Sequence, residues 1–235
     1  MIKVLKPGLF STIQDLGRFG YQEFGVPFSG VMDKQAAKVA NVLLGNNENE
    51  AVMEMTMTGA ALQFDYQTLI CISGADMSPK LNDIHISNNR LINVFPKDVL
   101  SFGQLKSGFR AYLAVLGGFK TEKLMNSRSM YLGITAKGSL TKGDALEIGA
   151  FEHILNKSNA VLKVNDVYLS SHEIEVFKGP EFSLLSTVQQ KELIRTDFSI
   201  SNHNNRMAYQ LNELFKNELD AIITSPVLPG TVQLT

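Results

Sequence analysis

Gln14, Asp15, Arg18 and Ser29 are the residues whose types and spacing are best suited to chemistry. All four fall in one segment, Thr12 to Asp33, TIQDLGRFGYQEFGVPFSGVMD. The planar fork of an arginine can grip a carboxylate or phosphate through paired hydrogen bonds. A neighbouring aspartate can orient that fork or act as a base, and a glutamine can hold an amide. Ser29 precedes an apolar helical pattern, and helix N-termini favour anions. A structural reading stands beside each role: Asp15 and Arg18 pair to staple the loop, and Ser29 caps the helix. The segment is too rich in glycine for a helix and too irregular for a plain strand. Irregular glycine-rich loops often carry sites.

Other candidates are scattered along the chain. Asp76 ends Ser73-Gly74-Ala75-Asp76 and faces a cleft or stabilises a turn. Glu54, in AVMEMTMTG, is a functional acid or one member of a buried pair, and the pair is the favoured reading. Arg128, in NSRSM, is an anion contact or an exposed loop arginine. His85, His153, His172 and His203 show no ligand spacing, so a zinc site is not expected. The chain has no G-x-x-x-x-G-K-[ST] phosphate loop, no G-x-S-x-G elbow and no H-E-x-x-H.

The elements that must position these residues are mainly short strands. Leu69 to Ser73, Ile84 to Ser87, Val99 to Phe102, Arg110 to Leu116 and Ala145 to Ile148 are rich in branched or aromatic residues, with Gly, Pro, Asn and Asp between them. Such punctuation fits a barrel or sandwich. Met32, Ala36, Val39, Ala40, Leu43 and Leu44 recur at helical spacing, with Gly45 as the C′ residue and Ser29 or Asp33 at the start. Thr187 to Arg195 is a second, weaker helix pattern. The stretch from Glu152 to Val167 is the expected boundary between halves.

A faint internal repeat supports two halves. Phe10 to Gln22 and Phe198 to Gln210 agree at five of 13 ungapped positions, pairing Arg18 with Arg206 and Tyr21 with Tyr209. Tyr21 and Arg206 thereby join Ser29, Asp33, Glu54 and Arg128 as candidate substrate contacts. Thr58 to Gln63 has a weaker echo in Pro229 to Leu234. Duplicated domains leave this kind of trace. The first copy runs on well past Gln63, whereas the second stops at Thr235, so the second half is expected to be cut short and to need strands from a partner.

Bulk properties narrow the class. The 235 residues carry a formal charge of −1, which gives no electrostatic case for nucleic acid or an anionic membrane. No apolar run approaches the roughly 18 residues of a membrane span, and MIKVLKPGLF lacks the apolar stretch of a signal peptide. Cys71 is the single cysteine, so there is no internal disulfide. The expectation is a cytoplasmic globular protein.

The opening segment is followed in order by Ala40-Asn41, Leu43-Leu44-Gly45-Asn46, Glu54-x-Thr56-x-x-Gly59, Ser73-Gly74-Ala75-Asp76 and Gly108-x-Arg110-x-Tyr112-Leu113-Ala114. Then come Ser127-Arg128-Ser129, Gly179-Pro180, Asn205-Arg206-Met207 and the run from Ser225 to Gln233. With these motifs the whole chain resembles the allophanate hydrolase subunit 2 family, the A and B subdomains of biotin-dependent carboxyltransferases. Members include the C component of 5-oxoprolinase, a Kip-type antagonist of a kinase inhibitor, and part of urea amidolyase.

The resemblance implies a mainly β fold with a few helices, built as two cyclophilin-like β-barrel halves: residues 1–155 (A-type) and 156–235 (B-type, incomplete). It implies a companion subunit with the C and D subdomains (the B component of 5-oxoprolinase), and in 5-oxoprolinase a third, A-type component. That complex opens the lactam of 5-oxoproline to glutamate at the expense of ATP, and the C component is inactive alone. Under the carboxyltransferase alternative, biotin delivers a carboxyl group to urea. Under a third alternative, the chain is a regulatory binding protein. Gln14, Asp15, Arg18, Ser29, Asp33 and Asp76 match the family pattern. The catalytic candidates are Gln14, Asp15, Arg18 and Asp76. Family members continue past the VQLT segment with a stretch not found here.

Overall fold

The computed structural model describes residues 1–149, 151, 164, 167–221, 227–228 and 230–234. The chain forms two compact units, Met1–His172 and Glu173–Thr235. The boundary expected at 155/156 lies outside the described residues, as do Ser225 and Pro226 of the C-terminal motif.

Among its described residues the first unit holds eleven strands and one α-helix. In chain order these are β1 (Ile2–Lys6), β2 (Phe10–Gln14), α1 (Lys34–Leu43), β3 (Val52–Thr56), β4 (Ala61–Phe64), β5 (Thr68–Asp76), β6 (Pro79–Leu81), β7 (Ile84–His85), β8 (Ile92–Val94), β9 (Val99–Phe102), β10 (Ser107–Val115) and β11 (Ala145–Leu146). They make a six-stranded sheet, β11-β1-β4-β9-β6-β7, and a five-stranded sheet, β2-β3-β10-β5-β8. All pairings in both are antiparallel.

Alternation along the strands builds the core. Ile2 and Val4, Met53 and Met55, Leu62 and Phe64, Ile70 and Ile72, and Leu113 and Val115 point to one shared cluster, as a period of two requires. The other face of the five-stranded sheet packs on α1 through Ala36, Ala37 and Ala40 against Val52, Leu69, Cys71, Tyr112 and Ala114. β5 is therefore covered on both faces, which explains its unbroken apolar run.

The mainly β class holds, with α1 and α2 (Thr187–Arg195) as the only α-helices among the described residues. A closed barrel is not seen among them, because no strand pairing joins the two sheets into a ring. Loop segments take that place along β2: Met130 N–H donates to the Ile13 carbonyl and Leu140 N–H to the Ser11 carbonyl, both at 2.8 Å. This shields an edge strand without closing a barrel.

Several boundaries move. α1 begins at Lys34 with Asp33, one of the two expected caps, at its start; the Asp33 carboxylate accepts from Ala36 N–H at 2.9 Å. Ser29 plays no part in that cap. Gly45, with φ +73, follows the last turn. The expected strand Ile84 to Ser87 shrinks to the two residues of β7, and Ala145 to Ile148 becomes β11 plus an isolated bridge at Ile148.

The second unit contains α2 (Thr187–Arg195) and an antiparallel pair, β12 (Ile200–Asn204) with β13 (Tyr209–Leu211). Ser186 and Gln189 form a reciprocal capping box at the start of α2. The repeated segments Phe10 to Gln22 and Phe198 to Gln210 each contain a strand, β2 in one and β12 in the other.

Candidate active site

β2 ends at Gln14, and the chain then doubles back so that residues 15–18 lie beside residues 28–31. Arg18 N–H donates to the Phe28 carbonyl at 2.7 Å, and Val31 N–H to the Asp15 carbonyl at 2.9 Å. The two arms approach closely enough to require glycine. A Cβ on Gly30, whose φ is +89, would lie 2.9 Å from Gly17 N.

Asp15 is the node of this loop. Its Oδ1 accepts from Ser127 Oγ at 2.6 Å, Ser129 Oγ at 2.7 Å and Gly17 N–H at 2.9 Å, and its Oδ2 from Arg128 N–H at 2.6 Å. Asp15 N–H in turn donates to Ser129 Oγ at 3.1 Å. The carboxylate thus fastens the Ser127-Arg128-Ser129 motif to the end of β2.

Arg18 is 1% exposed. Its Nη1 donates to Ser29 Oγ at 3.2 Å and its Nη2 to the Ser129 carbonyl at 2.5 Å, while Nε is buried without a hydrogen-bond partner among the described residues. Burial lowers its pKa, and the charge of Asp15 works in the opposite direction. Ser29 sits at φ +57, a conformation uncommon for a non-glycine residue. Gln14 is also buried: its Nε2 donates to Thr12 Oγ1 at 3.0 Å and to the Met130 carbonyl at 3.1 Å, and its Oε1 accepts from Gly30 N–H at 3.1 Å.

A second constellation lies across the α1 face of the five-stranded sheet. Thr12, Glu54, Tyr112 and Ser73 are register partners on β2, β3, β10 and β5, and all are buried. Glu54 Oε2 accepts from Met32 N–H at 2.8 Å and from Tyr112 Oη at 3.0 Å, and Oε1 lies 3.7 Å from Arg110 Nε. Glu54 is therefore the member of a buried pair. Tyr112 Oη also accepts from Asp33 N–H at 2.8 Å. Burial and then the Glu54 charge push the Tyr112 phenol well above its ordinary pKa. Tyr168, in a short 3-10 turn at Val167–Leu169, donates to Asp33 Oδ2 at 2.8 Å.

The remaining candidates are dispersed. Asp76 stands at the end of β5, accepts from Ser78 N–H at 2.8 Å and has Lys106 at 3.8 Å. Tyr21 Oη accepts from Asn126 Nδ2 at 3.3 Å. Arg128 turns its guanidinium to the Thr121 carbonyl. Arg206 belongs to the second unit, between β12 and β13. Among the described residues no group of three His, Cys, Asp or Glu side chains is placed to hold a metal.

Ser127, Ser129, Arg110 and Tyr112 join the site only once the chain is folded. Arg110 and Tyr112 alternate on a strand opposite Thr56 and Glu54, so a register placing β10 beside β3 is the signal that finds them. The serines are joined to Asp15 over more than a hundred residues, which leaves no local signal.

The molecule is thus a mainly antiparallel β protein that gathers its polar residues at one strand end and on one sheet face. The family model described as carboxyltransferase domain, subdomain A and B, matches residues 24–235, and the chain belongs to that family. It is 28% identical over 240 residues to the C component of 5-oxoprolinase from Escherichia coli (strain K12), covering 100% of this chain and 76% of that protein. The corresponding 5-oxoprolinase component of Haemophilus influenzae is 32% identical over 216 residues, covering 89% of this chain and 68% of that protein. Among solved structures, the K. lactis urea amidolyase aligns with a TM-score of 0.71 at 30% identity, over 90% of this chain and 14% of that chain.

Proposed function

We propose that this chain acts as the C-type component of an ATP-dependent 5-oxoprolinase, opening the lactam of 5-oxoproline to glutamate only with companion subunits. The observation that carries this reading is the extent of likeness. The E. coli 5-oxoprolinase component matches over 100% of this chain and 76% of its own length, whereas the urea amidolyase match takes up 14% of a much larger chain.

Lactam opening needs hydrogen bonds to an amide and stabilisation of the oxyanion that forms at its carbonyl. The carboxylate of Asp15 and the amide of Gln14 are engaged within the fold. We assign them the task of holding the Arg18–Ser29 loop in shape, with a partner of the C and D type completing the catalytic groups. ATP is bound in the assembled complex on this reading. The test is reconstitution with the companion subunits and an assay for glutamate from 5-oxoproline and ATP. Absence of glutamate from a complex shown to assemble rejects the proposal.

The second reading, a carboxyltransferase acting on a urea-type nitrogen, is favoured by the 0.71 TM-score to the urea amidolyase structure. It requires a biotinylated partner, so activity abolished by avidin would select it.

A further inference from the structure

A crevice on the α1 face of the five-stranded sheet is not used by the reading above. It lies at the first turn of α1 and is lined by Gln35, Ala36, Ser73, Gly74, Asn89 and Tyr168, among others. Ser73, 1% exposed, forms part of its wall. Asn89 Oδ1 is buried and without a hydrogen-bond partner among the described residues. Buried polar atoms in native proteins are nearly always paired with protein, water or ligand, so this unpaired carbonyl in the wall of a crevice calls for an occupant.

The walls keep that place open. Gly74 has φ +83, and a Cβ there would sit 2.5 Å from the Arg110 carbonyl oxygen. No side chain can therefore grow from this wall. The roof is the Val167–Leu169 turn. It buries no residue, and Tyr168 is 43% exposed. It is held by the Tyr168–Asp33 hydrogen bond and by Leu169 lying over Gly108. With the roof down, the crevice has room for little more than a water molecule.

We infer that this crevice is a binding pocket for a small amide, roofed by Tyr168. The amide N–H donates to Asn89 Oδ1 and the amide carbonyl accepts from Ser73 Oγ. The choice of a lactam or urea as ligand rests on the proposed function; the pocket itself does not.

The experiment is calorimetric titration of the full chain with 5-oxoproline and with urea, with glutamate as the lactam-free control. It compares the native chain with Tyr168→Ala, and Tyr168→Ala with the same variant carrying Ser73→Ala or Asn89→Gly. Glycine at 89 suits that residue's φ of +57 and so spares the backbone. Removing the roof should tighten binding of 5-oxoproline or urea but not of glutamate. Each further substitution should then weaken it about three- to tenfold, the size of one neutral hydrogen bond, with circular dichroism unchanged. Absence of binding of either probe to Tyr168→Ala overturns the inference, and so does binding indifferent to both Ser73→Ala and Asn89→Gly. The glutamate-release assay is read separately. Release with indifferent variants removes the pocket and leaves the lactam reading. Amide binding through Ser73 and Asn89 without release from an assembled complex does the reverse.

Discussion

At the scale of residues, the decisive distinction is between carboxylates engaged on all sides and carboxylates near solvent. Asp15 accepts four hydrogen bonds from three serine or glycine groups and one arginine amide. Asp15→Asn would turn an amide NH2 toward some of those donors, leaving buried groups unpaired. The expected loss is about 2–4 kcal/mol, read as a shift in the urea unfolding midpoint. Asp76→Asn should cost less than about 1 kcal/mol, because its Lys106 partner is exposed and 3.8 Å away. Equal losses for the two variants would contradict this assignment. The loop itself was legible from Gln14, Asp15 and Arg18 as a polar, glycine-rich segment. Its true partners were not, since Ser127 and Ser129 reach Asp15 only through the folded chain.

Tyr112 gives a pH dependence with a definite sign. Burial and the neighbouring Glu54 raise its folded pKa above the ordinary 10.0. Below pH 10.0 the phenol is neutral in both folded and unfolded chains, and its hydrogen bonds are fully present. Above that value the unfolded chain releases the proton first, so stability falls as pH rises. Tyr112→Phe should lower stability at neutral pH by about 1–3 kcal/mol, since Asp33 N–H loses its acceptor. It should also flatten the loss above pH 10.0. Urea midpoints measured from neutral to alkaline pH check both parts, and an unchanged alkaline slope would remove Tyr112 as the source.

At the scale of elements, β5 shows what an apolar run reveals and what it hides. The run Leu69 to Ser73 marks a strand, and its lack of alternation fits two covered faces, but the run does not say which element covers the second until α1 is placed. With α1 on the second face, Cys71 is fully buried, and its thiol is pushed up to about 12 by burial. The prediction is that Cys71 stays unalkylated by iodoacetamide in the native chain at pH 8 and reacts promptly in urea, with mass spectrometry as the readout. Rapid native alkylation would mean that α1 does not stay on β5. The first four strands do not stand out from sequence because they are four or five residues long and flank glycine-rich turns. Their assignment depends on pairing, which is non-local: β1 joins β4 and β11, and β2 joins β3.

At the scale of the whole molecule, the two units differ in what holds them together. Met1–His172 has a cluster filled from nearly every strand. In Glu173–Thr235 the described residues bury only Leu185 and Ser201, while Phe177 is 96% and Leu214 93% exposed. None of the residues of α2 is buried, so its helicity leans on local terms, chiefly the Ser186–Gln189 capping box. Helices of this length are marginal without tertiary packing, and segments with few buried contacts open at low free energy. Amides of α2 should therefore exchange with deuterium far faster than those of β5 and β10, and Ser186→Ala should accelerate them further by removing a cap worth about 1 kcal/mol. Addition of the companion subunits should slow exchange in α2 if they cover its apolar residues. Protection of α2 equal to that of β5 in the isolated chain would show instead that the second unit is as well packed as the first.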